Sequence, residues 1–274
     1  MRFSLQPFIA SWLILALVLF GTTSPTTAGL VAFEDFSYGN GALAGQNGGF
    51  GWSGNWTHHN GTQPTVASEV ANLQFSNSGF DTLHRSQISR ELSSGFGGNG
   101  TTTWLRFNSS YFATGNSLNT VPFGGFRLLS NDSVRLQIGK YDDKIYWSVG
   151  NEDNTTIATS NVFVNTYTDF WVKITHVAGN DTVQMWLNPA SNPTTEADLG
   201  SVAGTLTGLD ISFDEIMLHG HYGNLGGDST HTWTFDNIRI GTSFAAMTAV
   251  PEPSSLLMVG LIVAGLGAVR RRTV

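Results

Sequence analysis

Acidic side chains that stand next to each other are the first candidates for chemistry in this sequence. The nearest candidates for a catalytic pair are Glu152-Asp153 and Asp214-Glu215. Two carboxyl groups about 5–9 Å apart can cleave a glycosidic bond, one as acid and the other as base or nucleophile. Neighbouring residues of a strand point to opposite faces, so neither pair can converge on one bond. Both pairs are interpreted as strand-end or turn carboxylates, and the sequence predicts no catalytic residue and no enzyme activity.

Histidines are the second candidates. His219 and His221 are separated by one glycine and can present both imidazoles on one face of a strand, a geometry usable for zinc or copper. His58, His59 and His231 are the further possible ligands. No carboxylate stands at a clear ligand spacing, so these histidines are not predicted to hold a metal. The chain has no cysteine, which excludes thiol nucleophiles and zinc-thiolate sites.

Aromatic rings could stack on sugars, because a ring face suits the apolar face of a pyranose. Trp52 and Trp56 lie in a Gly/Asn-rich stretch rather than in an alternating strand. They are therefore the tryptophans expected to be most exposed, and the candidate glycan-binding residues. Structural burial remains the alternative for both.

Apolar residues alternate with polar ones at the period of a strand. Val134, Leu136 and Ile138 should face the core, and Arg135 and Gln137 should face the solvent on the opposite side of the strand. The same alternation runs through residues 145–149, 170–175 and 183–187, where Phe170 and Trp171 are expected on opposite faces. Turn residues separate these segments, and many short strands at this spacing are typical of an all-β antiparallel sandwich.

One predicted strand breaks this phase. Trp233 and Phe235 are at odd positions, whereas Ile238 and Ile240 are at even ones. A β-bulge at Asp236-Asn237 would bring both pairs to the core.

Charge narrows the possible partners. Residues 29–250 carry nine Lys/Arg against nineteen Asp/Glu, a net charge of −10. Such a surface repels nucleic acid phosphates, so no nucleic-acid partner is expected. It is compatible with neutral glycans and divalent cations.

Both ends of the chain are unlike its middle. Residues 1–28 have a basic start and a 13-residue apolar run from Phe8 to Phe20, which predicts a signal peptide cleaved after Ala28 by signal peptidase. The β-sandwich domain is expected to span residues 29–241, with a linker at 242–249. Residues 256–269 are apolar and predict a short transmembrane helix that ends at a basic tail, Arg270, Arg271 and Arg272.

The C-terminal 25 residues resemble the PEP-CTERM sorting signals of exported bacterial proteins. The resemblance rests on Pro251, Glu252 and Pro253, the apolar helix and the arginines, in that order. It implies recognition by an exosortase-type enzyme and processing near the Pro-Glu-Pro motif, which carry the protein to the cell surface or an exopolysaccharide matrix. The chain would be anchored in the inner membrane at least transiently. A helix as short as this favours an anchor that is recognised and then removed by processing.

The middle of the chain resembles the concanavalin A-like and laminin-G-like jelly rolls. The resemblance rests on an opening Phe33-Glu34-Asp35-Phe36, the Gly/Trp-rich stretch after it, and a closing segment at residues 235–241. It implies that the first and last strands pair. The Glu-x-Asp-x-x-Glu strand motif of the family's retaining glucanases is absent from the sequence.

The same resemblance implies a calcium ion at the rim of the sandwich, held by oxygen donors near turns. The suitable residues are Asp142, Asp143, Asn224, Asp228 and Asp236. Ordinary solvated turn residues would have the same composition, and both interpretations stay open.

These expectations define three hypotheses. The first is a non-catalytic, exported surface or matrix protein that binds extracellular polysaccharide. The second is a diverged glycoside hydrolase or lyase of the jelly-roll type. The third is a purely structural envelope protein without a ligand.

Overall fold

The computed structural model describes residues 29–76, 84–114, 123–141, 145–153, 155–190, 193–222 and 230–248. Several predicted features lie outside these ranges: the signal peptide with Ala28, the PEP-CTERM segment from residue 250 to the end, and four of the calcium candidates, Asp142, Asp143, Asn224 and Asp228. Within the described part of the chain, no helix is long and apolar enough to cross a membrane.

The described residues form an all-β sandwich, as predicted from the alternation. Its strands in chain order are β1 (Leu30–Glu34), β2 (Gly41–Ala42), β3 (Thr57–Gly61), β4 (Thr65–Ala67), β5 (Val70–Ser76), β6 (His84–Phe96), β7 (Thr102–Thr114), β8 (Phe123–Ser130), β9 (Ser133–Lys140), β10 (Tyr146–Gly150), β11 (Ile157–Phe163), β12 (Thr168–Thr175), β13 (Asp181–Leu187), β14 (Gly204–Leu209), β15 (Phe213–Tyr222) and β16 (Thr230–Gly241).

These strands make two antiparallel sheets. The nine-stranded sheet has the order β14-β13-β12-β7-β16-β5-β4-β2, with β1 also paired to β16. The seven-stranded sheet has the order β11-β10-β9-β8-β15-β6-β3. Most neighbours within a sheet are distant in sequence, as in a jelly roll, and the pairing of the first with the last strand is confirmed.

Aromatic side chains from both sheets meet in the core. Phe107 of β7 stacks on Phe126 of β8 and on Phe170 of β12, with ring centroids 4.6 Å apart in both pairs. The ring centroid of Trp147 in β10 lies 5.6 Å from that of Trp233 in β16. These rings supply much of the apolar burial that stabilises a sandwich of this size.

The bulge in β16 is confirmed. Its pairing with β7 shifts register between Asp236 and Arg239, and Asn237 has a φ of 51°. Because of this extra residue, the odd pair and the even pair of apolar residues are all buried: Trp233, Phe235, Ile238 and Ile240.

The predicted linker at residues 242–249 is wrong for its described part. A short helix, α1 (Phe244–Thr248), packs on the outer face of the nine-stranded sheet. Ala246 and Met247 are buried there against Trp104, Trp171 and Trp186. The folded domain therefore continues to residue 248 at least.

The same helix explains why Trp171 is buried. Trp171 alternates with Phe170, as predicted, and its side of the strand was expected to be wet. It is instead fully buried, because Phe244 of α1 stacks on its ring at 5.3 Å and the Arg106 guanidinium lies 4.5 Å from it. A second, smaller apolar cluster thus covers part of the outer sheet face.

Candidate functional site

The loop that contains Trp52 and Trp56 packs on the sandwich and buries one of the two tryptophans. Trp56 is 1% exposed, stacks on Phe36, and donates its Nε1–H to Glu34 Oε2 at 3.1 Å. Trp52 is half-buried and donates to the backbone oxygen of Phe33 at 3.0 Å. The prediction of glycan stacking is therefore wrong for Trp56, whose ring has no face open to a ligand.

A buried ion pair explains why this loop is ordered. The guanidinium of Arg90 lies 5.1 Å from the Trp52 ring and 5.8 Å from the Trp56 ring. Its Nη1 donates to Glu34 Oε2 at 2.6 Å, and both side chains are essentially inaccessible to water. The Gly/Trp-rich loop therefore packs its two tryptophans around a buried cation.

Asp236 is the one calcium candidate within the described ranges, and its carboxylate accepts hydrogen bonds within the β-bulge. Its carboxylate accepts hydrogen bonds from the Asn237 backbone N–H and side-chain amide, both at 2.7 Å. Burial raises the pKa of Asp236, and the nearby Asp35 and Glu69 carboxylates contribute. Among the described residues, no group of three or more His, Asp or Glu is arranged to hold a metal ion.

The outer face of the seven-stranded sheet carries a different set of polar side chains. Gly220 points into the core, because a Cβ there would lie 2.5 Å from the Phe75 ring, so its neighbours His219 and His221 point outward. Their rings stack at 6.1 Å, which confirms that both imidazoles share one strand face. Of the other histidines considered as ligands, His231 instead stacks on Phe75 in the other sheet.

Register brings three further side chains to this outer face. Arg85 of β6 is opposite His221, Arg127 of β8 is opposite Met217, and Gln137 of β9 is opposite Arg127. Residues directly opposite in antiparallel strands have their side chains on the same side of the sheet. The polar face is defined here as Arg85, Arg127, Gln137, His219 and His221.

Three residues of the polar face, Gln137, Arg127 and His219, are buried and form what is called here its floor. Gln137 is 0% exposed, although its side of β9 was expected to be wet, and Arg127 is 6% exposed. Arg127 Nε donates to Gln137 Oε1 at 2.7 Å, and Nη1 donates to Glu152 Oε1 at 3.4 Å. Within the described part of the chain, Gln137 Nε2 has no hydrogen-bond partner. Leaving such a buried donor unpaired costs about 1–3 kcal/mol, which a ligand acceptor would offset.

His219 lies in the middle of this floor. It is 3% exposed, and its Nδ1 has no hydrogen-bond partner among the described residues. Burial lowers the pKa of His219 well below its usual range, and the charges of Arg127, His221 and Arg85 lower it further. The imidazole is therefore neutral at physiological pH and can donate or accept one hydrogen bond at the open nitrogen, according to its tautomer.

A row of small residues lies beside His219 on the outer face of the sheet. In register, His219 is opposite Gly125, Gly125 is opposite Gly139, and Gly139 is opposite Ser148. Tyr141 packs over this row: it is 1% exposed and its hydroxyl donates to the Gln137 backbone oxygen at 3.1 Å. Phe123 packs edge-on against both Tyr141 and His219, with ring centroids 5.5 Å apart in each pair.

A second polar cluster lies further along β6 and β15. Glu91 and Glu215 are directly opposite in register, so their carboxylates share the outer face. A cavity of about 240 Å³ beside them is also lined by His59 and Ser89, whose Nε2 and Oγ are 2.5 Å apart. Sequence reasoning missed this pair, because the two glutamates are 124 residues apart and only the strand register joins them.

A chain of hydrogen bonds like that of a hydrolase occurs elsewhere but is structural. Thr103 Oγ1 and His176 Nε2 are 2.9 Å apart, and His176 Nδ1 and Asp181 Oδ2 are also 2.9 Å apart. All three residues are at most 2% exposed, so no substrate reaches the hydroxyl. Asp181 also accepts the Ile211 backbone N–H at 2.9 Å, so the network connects the ends of neighbouring strands.

The buried histidines predict acid sensitivity. Burial lowers the pKa of His231 from its ordinary 6.5 to about 4, and that of His219 well below 6.5. The unfolded chain binds these protons near pH 6.5, whereas the folded chain does not until much lower pH. We expect the free energy of unfolding to fall as pH decreases from 6.5 toward 4, measured by urea unfolding. His231→Gln should make this dependence shallower, and an unchanged slope would contradict the assignment.

Comparison with known proteins supports the fold alone. No family model matches the chain, and no curated protein matches it significantly. An endo-1,3-β-glucanase from Streptomyces sioyaensis matches with a TM-score of 0.50 and 8% identity, over 80% of this chain and 98% of the glucanase. An alginate lyase from Corynebacterium sp. matches with a TM-score of 0.42 and 12% identity, over 65% of this chain and 79% of the lyase. Botulinum neurotoxin type C, which interacts with two ganglioside molecules, matches with a TM-score of 0.48 and 12% identity, over 81% of this chain and 50% of the toxin chain.

The class that these observations define is a jelly-roll-like all-β sandwich. The glucanase match covers nearly the whole of that protein, so the two-sheet architecture is shared. At 8% identity, the likeness is one of backbone only and carries no residue roles.

Proposed function

We propose that this chain is an exported, non-catalytic protein of the cell surface or exopolysaccharide matrix, and that it binds a glycan across the polar face. The observation that carries the proposal is the buried floor of that face. Gln137 and His219 are nearly inaccessible to water. Among the described residues, neither the amide nitrogen of Gln137 nor the ring Nδ1 of His219 has a hydrogen-bond partner. Such groups on an outer sheet face fit a ligand that supplies hydroxyl oxygens.

The test is binding of the full-length chain to a glycan array that includes the host's own exopolysaccharide. Gln137→Leu keeps the volume of the side chain and removes its amide, and we expect about tenfold weaker binding. Gln184→Leu, on the half-buried outer side of β13 in the other sheet, is the matched control and should leave binding unchanged. Absence of binding to every polysaccharide would favour a purely structural envelope protein.

Export and sorting are proposed from the two ends of the chain. The supporting features are the apolar N-terminal run before Ala28, the Pro251-Glu252-Pro253 motif and the basic tail after residues 256–269. They imply signal peptidase and an exosortase-type enzyme as partners and a transient inner-membrane anchor. We expect Glu252→Ala to leave the chain unprocessed in the inner-membrane fraction, as seen by fractionation and mass of the C-terminal peptide. Normal processing of that variant would contradict the assignment of the motif.

A second candidate function is a diverged glycoside hydrolase or lyase. It is favoured by the Glu91–Glu215 pair, because two carboxylates on one sheet face beside a cavity are what hydrolysis of a glycosidic bond needs. Incubation with β-glucans and uronate polymers distinguishes the two functions. Release of reducing ends or of unsaturated sugars by the wild type would contradict the non-catalytic proposal.

A further inference from the structure

Three residues of the polar face, Arg85, Arg127 and Gln137, offer only donors to a ligand, and the two histidines donate or accept according to their tautomer. Arg85 and Arg127 have donors alone, and the open nitrogen of Gln137 is a donor too. The Gln137 amide oxygen, its acceptor, is already taken by Arg127. Arg85 Nε is buried and, within the described ranges, has no hydrogen-bond partner. A hydroxyl-rich neutral sugar needs acceptors as well as donors around it, whereas an anion needs donors alone.

Positive charge is concentrated at the same place. Arg85 is opposite His221 and Arg127 is opposite Met217, so the two arginines lie on either side of His219, and both act on it electrostatically. Burial, together with the smaller effect of the neighbouring Arg85, lowers the pKa of Arg127 to about 10, and the group stays protonated at neutral pH. Two like charges beside a buried neutral imidazole are an unfavourable arrangement that a bound anion would relieve.

Among the described residues, Arg127 contacts one carboxylate, and its other contacts, with Gln137 and the Phe123 ring, are uncharged. Its described ion pair is with Glu152 at 3.4 Å, and the Glu152 side chain is 52% exposed. Because one partner is this exposed and the contact is long, the pair is weak and an incoming anion can displace it. A guanidinium binds carboxylate and sulfate through two parallel N–H···O bonds, which favours such groups over a neutral hydroxyl.

We propose that the glycan bound by the polar face is acidic, carrying carboxylate or sulfate groups that lie between Arg85 and Arg127, with Gln137 donating to the same ligand. This inference rests on the proposed function and names its ligand class. It also accounts for a cationic face on a chain whose residues 29–250 carry a net charge of −10. The overall negative charge opposes unspecific adsorption of polyanions, so binding must depend on this local site.

The test measures affinity of the full-length chain for four probes by titration calorimetry. Polygalacturonate supplies carboxylates, dextran sulfate supplies sulfates, and dextran and laminarin are neutral. We expect at least one polyanion to bind about tenfold more tightly than both neutral polymers. Its affinity should fall as salt increases. Binding of polygalacturonate alone would identify carboxylate as the recognised group, and binding of dextran sulfate alone would identify sulfate.

Two variants test whether the arginines are responsible. Arg85→Gln changes a half-buried side chain and should fold, and Arg127→Gln changes the buried one; each should weaken polyanion binding about tenfold. Lys173→Gln removes one positive charge from the other sheet and should have no effect. Polyanion binding that Arg85→Gln leaves unchanged would overturn the inference. So would equal or tighter binding of a neutral polymer that depends on Gln137, although the proposed function would then stand. No binding of any of the four probes would overturn the inference, whereas the proposed function is overturned only if the glycan array with the host's exopolysaccharide also shows no binding.

Discussion

Glu34→Gln lowers the free energy of unfolding by about 3–5 kcal/mol, the largest effect we expect from a near-isosteric substitution in this chain. Glu34 is 0% exposed and is the charged partner of Arg90, which is 1% exposed. The amide keeps the shape of the side chain but leaves the guanidinium charge buried without an anion. Removing a charge from water is costly unless it is paired, so the folded state bears this cost and the unfolded state does not.

The surroundings of the pair increase the expected effect. Glu34 also accepts hydrogen bonds from the Tyr38 hydroxyl at 2.7 Å and from the Phe36 backbone N–H at 2.8 Å. Arg90 also donates to the backbone oxygens of Gly48 and Gly54 at 3.0 and 2.9 Å. One ion pair thus connects β1, β6 and the loop between β2 and β3, so its loss should loosen all three.

The measurement is urea unfolding of the full-length chain followed by tryptophan fluorescence. Glu196→Gln is the matched control, because Glu196 is also paired, with Lys173 at 2.8 Å, but its side chain is 42% exposed. The control should change the free energy of unfolding by about 0–1 kcal/mol. Equal effects of the two variants would show that burial of the first pair does not matter.

The architecture was predictable from sequence where the information is local. Alternation in β9, β10, β12 and β13 predicted strands and their buried sides, and the phase break at Asp236-Asn237 predicted the bulge. Each of these signals lies within a dozen residues. The pairing of β1 with β16 was predicted through the family resemblance, because no local pattern specifies which strands are neighbours.

The candidate site was not predictable for the same reason. His219 and His221 were recognised as sharing a face, but the residues that join them come from β6, β8 and β9 through strand register. Arg90 is 56 residues from Glu34, and nothing near Trp56 in sequence indicates a buried cation. Exposure inferred from loop composition fails there, since a Gly-rich loop can fold over a charged side chain.

The second large effect concerns the segment first interpreted as a linker. Met247→Ala should lower the free energy of unfolding by about 2–5 kcal/mol, because a buried methionine leaves a cavity when it is truncated. Met247 is 0% exposed within the cluster of Trp104, Trp171 and Trp186, and its terminal methyl fills space over Gly241. A flexible linker would show no such cost, so the substitution separates the two interpretations.

Thermal unfolding of the full-length chain measures this effect, and Thr248→Ala is the control on the same helix. Thr248 is exposed and bonds only to the Ala245 oxygen among the described residues, so its loss should stay within about 0.5 kcal/mol. The backbone oxygen of Met247 accepts from Arg106 at 3.3 Å and from Arg239 at 3.1 Å, which fixes the end of α1 on the sheet. If Met247→Ala is as stable as the control, α1 does not contribute to the fold. If it is destabilised as expected, residues 244–248 belong to the domain, and any C-terminal processing must occur beyond them for the sandwich to keep its stability.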